Sequence, residues 1–211
     1  MIKEIPTKIV IIDDNIRDLD ISPTPDSLLI ALRNDFGENN VRVFRTPNEG
    51  VAFVLTNLSS KTVVLLDMDL GEKEISGDEV FEEIRRKTSL VTVIIMSAKL
   101  SALSNSTLRK FINNHAFSAI DSNDSVKTNL PIIKNAVDQL SLRVDCAIEE
   151  WLFRYSADDR KKPFMTLKTG EKYSLDEILN EIRQNTDLGV FYQRGILKMA
   201  VELLARQKAQ L

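Results

Sequence analysis

The sequence predicts an α/β fold: a doubly wound, five-stranded parallel sheet, followed by a long connecting helix and a small, mostly helical C-terminal domain. Three observations lead there. Runs such as KIVII (8–12), TVVLL (62–66) and VTVIIM (91–96) are apolar almost throughout, as strands are when both faces of their sheet are covered. Segments with helical spacing of apolar residues separate them, and parallel neighbours need such crossovers. From Leu130 onward the strand-like runs disappear.

The first strand, Lys8–Ile12, leads to a helix over residues 26–36, with Leu28, Leu29, Ala31 and Leu32 on its inner stripe. Val41–Phe44 is the second strand, and residues 48–58 form the next helix. The third strand covers 62–66. A helix over 78–87 follows, where Val80, Phe81 and Ile84 share one face. Residues 91–96, 101–114 and 117–120 complete the set as strand, helix and a weaker fifth strand.

Leu130, Ile133, Val137, Leu140, Val144, Ala147 and Trp151 then recur at spacings of three and four. That is the a/d pattern of a helical seam. Either an ordinary final helix packing on the sheet or a dimerising helix produces it. The expected division is a domain over 1–140, a connecting helix over 130–156 with Pro131 near its start, and an α-rich module over 163–211. SADDRKKP (156–163) is charged and poor in apolar residues, as a linker would be. Beyond it come a hairpin turn at Thr169-Gly170, a capping box of Ser174 and Glu177, and a helix over 175–184. A break over 185–189 precedes a last helix over 190–207, rich in Phe191, Ile196, Leu197, Met199, Val201, Leu203 and Leu204.

The 211 residues are 43% hydrophobic and 28% charged, which suits a folded globular chain. A formal net charge of -3 gives no basic excess to draw nucleic acid or an anionic membrane. The single cysteine, Cys146, excludes an intrachain disulfide and a zinc–cysteine cluster. No uncharged run of membrane-spanning length occurs, and MIKEIPTKIVIIDD carries charge beside its apolar run. A cytoplasmic protein without a membrane partner is the expectation.

Polar chemistry gathers at the strand ends. The first strand runs into Asp13-Asp14, the third into Asp67 with Asp69 close behind, and the fourth into Ser97. In a parallel sheet these ends open into one crevice. Several carboxylates there repel each other unless a cation lies between them, and few protein oxygens plus retained water describe Mg²⁺. A rim serine can donate to an oxyanion. The set fits a phosphoryl group meeting Mg²⁺ and a carboxylate nucleophile.

The segments IVIIDDN (9–15), VVLLDMDLG (63–71), SGDEVFEEIR (76–85) and VIIMSA (93–98) resemble the receiver domain of two-component response regulators, which has a flavodoxin-like fold. The resemblance covers roughly residues 7 to 140. It implies that Asp67 is the phosphoacceptor, that Asp13 and Asp14 bind Mg²⁺ together with Asp67, and that the backbone carbonyl of Asp69 completes the protein ligands. It implies further that Ser97 binds a phosphoryl oxygen. The phosphodonor would be a sensor histidine kinase or a small phosphodonor molecule. The family's lysine at the end of strand five and its switch aromatic fall on Ser122 and Ala119 in this chain. Lys99 and Lys127 are the candidates to replace that cation, although neither matches by position. The loop between Asp14 and the first helix is longer than is usual in the family.

Two other functions compete. LLDMDLG also resembles the DxD start of haloacid dehalogenase-type phosphatases, but there the Asp pair follows the DxD motif, whereas here Asp13-Asp14 precedes it. Helices flanking Gly189 also suggest a DNA-binding helix-turn-helix. The helix after Gly189 offers Gln193, Arg194 and Lys198 among mostly apolar residues. A helical hairpin serving protein interaction or self-association, through the seam helix and the C-terminal module, is therefore preferred.

Overall fold

A computed structural model describes residues 5–58, 61–71, 75–88, 90–167 and 169–208. The side chains of Leu204, Gln207 and Lys208, and residues 209–211 of the expected C-terminal module, lie outside the described residues. The chain forms two compact units, one over Pro6–Ser141 and one that holds the described residues from Leu142 on.

The first unit holds β1 (Lys8–Ile12), α1 (Ser27–Phe36), β2 (Val41–Phe44), α2 (Pro47–Thr56), β3 (Thr62–Asp67), α3 (Gly77–Lys87), β4 (Thr92–Ser97), α4 (Asn105–Asn113), β5 (Ser118–Asp121) and α5 (Val126–Ser141). Its five strands lie in the order β2-β1-β3-β4-β5, all parallel. This is a doubly wound sheet whose order reverses beside β1, where the crevice of such folds opens. Alternation decides which side chain faces which layer. Val10, Ile12, Val64, Leu66, Val93 and Ile95 form one core with Val51 and Val54 of α2, Phe81 of α3 and Phe111 of α4. Ile9, Ile11, Val63, Leu65 and Ile94, equally buried, point to the other side, where α1 and α5 pack together. Phe81 and Phe111 meet edge to face at 5.2 Å and 86°.

Helix starts follow local chemistry. Ser76 and Glu79 form a capping box at α3. The helix expected over 101–114 starts later, because the Ser104 hydroxyl accepts from Thr107 N–H at 3.1 Å and fixes the N-terminus of α4 there.

The second unit comprises α6 (Val144–Leu152), α7 (Ala157–Arg160), a β6–β7 hairpin (Pro163–Thr166 and Lys172–Ser174), α8 (Leu175–Arg183) and α9 (Asp187–Lys208). Ser174 and Glu177 make the capping box at α8. Ile148, Leu152, Leu175, Ile178, Leu179, Ile182 and Tyr192 are its buried apolar residues, beside Cys146. Among them, Glu149 of α6 is 1% exposed and is paired with Arg183 of α8.

Three expectations need correction. The continuous helix over 130–156 is divided: α5 begins at Val126, which puts Pro131 in its interior, and the chain is extended at Arg143 before α6. Arg143 grips the carboxylate of Asp145 through Nε at 3.0 Å and Nη2 at 2.8 Å. Residues two apart do not face each other on a helix, so this pair holds the break open. The linker expected over 156–163 lies within the second unit. Arg160 reaches Asp176 at 3.2 Å and stacks over the Phe153 ring at 4.3 Å. Gly189, expected as a turn, sits inside α9, and the turn is made by Asn185 at φ 52°. A Cβ at Gly189 would fall 2.3 Å from the Glu181 carbonyl oxygen, so this glycine permits the close crossing of α8 and α9.

No helix among the described residues is long and apolar enough to cross a membrane.

Candidate functional site

Register brings the acids together. Ile12, the last residue of β1, pairs with Leu66, so Asp13 emerges beside Asp67 at the end of β3. Asp13 stays aligned because its N–H donates to the Phe44 carbonyl of β2 at 3.0 Å. One carboxylate oxygen from each of Asp13, Asp14 and Asp67 lies within 4.8 Å of the others. Asn15 ties two of them: its backbone N–H donates to Asp13 at 2.9 Å and its side-chain amide to Asp14 at 2.8 Å. The Asp69 carboxylate stands apart, exposed, with Lys99 Nζ at 3.4 Å. Ser97 ends β4, beyond Met96, the partner of Asp67, and is 4% exposed. Its hydroxyl oxygen accepts from the Lys99 N–H at 3.1 Å.

Electrostatics make this cluster expensive when empty of cations. Burial pushes the Asp13 carboxyl up to about 6, and the charges of Asp67 and Asp14 add to the effect, against the opposing hydrogen bond from Asn15. Burial likewise raises Asp67, with further contributions from Asp14 and Asp69. Among the described residues, none of the three forms a salt bridge. Three oxygen donors with no internal counter-charge fit a hard divalent cation.

This has a measurable consequence. Between the ordinary carboxylate value of 3.8 and about 6, the folded chain binds more protons at Asp13 than the unfolded chain does. Stability of the metal-free protein therefore falls as pH rises through that window and stays lower above it. Asp13→Asn removes the penalty. It is expected to raise metal-free stability at about pH 7 by up to roughly 2 kcal/mol, with little change near pH 4. Thermal melts in a chelator check this, and Mg²⁺ should reverse the ranking by stabilising the wild type alone.

The far wall differs from a cationic one. β5 ends at Asp121, which pairs with Ser97, and Ser122 follows with its N–H on the Ser97 carbonyl at 3.2 Å. Neither is a cation. Ala119 is partly buried against the core of the α2–α4 side, and Phe117 precedes the strand at 37% exposure. Of the candidate replacements, Lys99 is 76% exposed and paired with an equally exposed Asp69, a contact of little energetic weight. Lys127 is exposed in the first turn of α5. On the α1–α5 side, a cavity of about 190 Å³ reaches Asp13, Asn15, Asp26, Ser122 and Asn129.

The long loop after Asp14 is fastened at several points. Asp18 takes both guanidinium nitrogens of Arg33 at 2.6 Å, and Asp20 both of Arg45 at 2.8 Å. Arg45 also donates to the Ile16 carbonyl at 3.2 Å, and Arg17 pairs with Asp26 at 2.9 Å. Bidentate pairs of this kind fix orientation as well as position. Sequence reasoning missed these partners and Asn15. Asn15 sat inside a quoted motif, but the arginines come from 15 and 25 residues away in sequence and carry no local signal.

Behind Asp67, Gly77 opens α3 against the strand end. A Cβ there would lie 2.3 Å from the Asp67 carbonyl oxygen and 2.6 Å from the Met68 Cα. The next residue, Asp78, receives Lys110 of α4 at 2.9 Å, and Glu82 receives the same ammonium at 2.8 Å.

A parallel sheet of this order, with three carboxylates at the ends of its central strands, defines the class of the first unit. NtrX from Brucella abortus in complex with ATP aligns with a TM-score of 0.50 and 17% identity, over 85% of this chain and 34% of that one. A CheY-like response regulator receiver domain protein from Methanospirillum hungatei JF-1 gives 0.49 and 19%, over 64% of this chain and 96% of its own. A response regulator from Colwellia psychrerythraea gives 0.48 and 19%, over 64% and 98%. No family model matches the sequence, and no curated protein matches it significantly. At these identities the likeness is one of fold: the first unit has the α/β fold of receiver domains.

Proposed function

We propose that the chain is a response-regulator-like signalling protein in which Asp67 accepts a phosphoryl group and the second unit passes the signal on. The observation that supports this is the convergence of Asp13, Asp14 and Asp67 at the strand ends of a receiver fold. The Asp67 carboxylate oxygen attacks phosphorus, a new P–O bond forms, and the donor leaves with the electron pair of the bond that breaks. Asp13, Asp14 and Asp67, with the Asp69 carbonyl, would hold Mg²⁺, which when bound neutralises the charge of the phosphoryl oxygens. Ser97 donates its hydroxyl to one of those oxygens, and Lys99 is the candidate for a cationic contact. The donor is a sensor histidine kinase or a small phosphodonor. The second unit serves protein interaction or self-association. Its packing glycine, Gly189, supports a helical hairpin over a DNA-reading turn.

Intact mass after incubation with acetyl phosphate and Mg²⁺ tests the assignment. One phosphoryl adduct on the wild type and none on Asp67→Asn is expected. Absence of an adduct on the wild type would leave a phosphate-independent adaptor, and an adduct surviving in Asp67→Asn would move the acceptor elsewhere.

A further inference from the structure

We propose that the cavity between α1 and α5 binds a small organic ammonium, a primary ammonium head on a short apolar or aromatic body. The inference is independent of phosphoryl transfer to Asp67. It starts from one unsatisfied atom. Asn129 of α5 lines the cavity and is 2% exposed. Its side-chain amide donates to the Asp121 carbonyl at 2.8 Å, and this fixes the orientation of the group, since reversal would set two acceptors face to face. Oδ1 is left as the buried atom without a hydrogen-bond partner among the described residues. Buried polar atoms in native folds are almost always paired, and this one requires a donor.

The walls decide which donor. No lysine, arginine or histidine lines the cavity, whereas three carboxylates do. Asp26 is taken by Arg17 at 2.9 Å. That leaves Asp13 and the exposed Asp124, neither in a salt bridge among the described residues. A positively charged group that only donates answers both the open acceptor and these carboxylates, and an ammonium has three N–H donors and no acceptor. Buried Ile11, Leu65, Met96 and Ile120 supply an apolar side, which a hydrated inorganic cation would leave unused. At about 190 Å³ the space exceeds the ~150 Å³ that takes benzene in an apolar cavity, so a body of about six to eight non-hydrogen atoms fits.

A chemical-shift titration of the isotope-labelled full chain with benzylamine hydrochloride tests this. It is run in a chelator at about pH 7.5, where carboxylates are ionised and the amine keeps its proton. Saturable shifts centred on β5 and α5 are expected, with a Kd in the millimolar range or tighter. Benzyl alcohol, which lacks the charge, and ammonium chloride, which lacks the body, should each bind about tenfold more weakly or worse. Asn129→Leu removes the acceptor and should weaken benzylamine by about tenfold. Ser122 lines the cavity and is exposed, so Ser122→Phe should obstruct it with the fold retained and abolish saturation, whether or not the Asn129 variant folds. Absence of saturable shifts, the result if water alone fills the cavity, overturns the proposal. Equal binding of benzyl alcohol overturns the charge requirement, and equal binding of ammonium chloride reduces the site to a counterion of the acid cluster. Wild-type affinity in Ser122→Phe would move the ligand out of this cavity and overturn it as well.

Discussion

Alanine at position 77 is expected to destabilise the first unit by about 3 kcal/mol, the upper end for overpacking a filled site, and to weaken cation binding at the acid cluster. The added methyl would meet the Asp67 carbonyl oxygen at 2.3 Å and the Met68 Cα at 2.6 Å. Both are backbone atoms, so no rotamer change relieves the contact. Either α3 lifts from the sheet or the end of β3 moves, and Asp67 is the last residue of β3. Denaturant midpoints and Mg²⁺ titrations of wild type and Gly77→Ala measure the two effects. An unchanged midpoint with unchanged affinity would show that α3 does not bear on the strand end.

Arg183→Met should cost the second unit up to about 3–5 kcal/mol, because it removes the guanidinium that pairs with a buried carboxylate. Glu149 is 1% exposed on α6, and Arg183 reaches it from α8. The pair joins α6 to α8 through residues 34 apart in sequence. Adding Glu149→Leu to Arg183→Met removes the buried charge itself, and most of the loss is expected to return, since apolar pairs of similar volume replace buried ion pairs with little penalty. A denaturation double-mutant cycle reads this directly. A double variant as unstable as the single one would show that the damage is steric rather than electrostatic.

The sheet was legible because its strands are covered on both faces, and such burial leaves a continuous apolar signal in the sequence. Asp13, Asp14 and Asp67 were legible for a related reason: a carboxylate directly after a buried strand must leave the core, and parallel strands leave it at one end. Other features depend on contacts the sequence does not announce. The seam of Leu130 through Trp151 keeps its period across residues 142 and 143, yet Arg143 and Asp145 break the helix by pairing with each other. Periodicity records which faces are apolar, not whether the backbone between them is continuous. Gly189 looked like a turn because glycine tolerates many backbone angles, while its role in α9 is to have no side chain where α8 crosses. The arginines that fasten the loop after Asp14 are invisible for the opposite reason, being ordinary surface residue types until the fold places them.

The contact of Gly77 with the Asp67 backbone also determines how a disturbance there can travel. One residue farther on, Asp78 shares with Glu82 the ammonium of Lys110, which ties α3 to α4. Strand end, α3 and α4 thus form a train of bodies in direct abutment, with no slack between the first two. A displacement of the Asp67–Met68 peptide is expected to reach α4 as a shove on whole helices rather than as the pivot of one ring. Motion of that kind belongs to the microsecond-to-millisecond range instead of the picosecond flips of a side chain. For a chain that has Ala119 and Ser122 at its fifth strand, this train is the route we propose for a signal from Asp67, one that needs neither an aromatic switch nor a lysine.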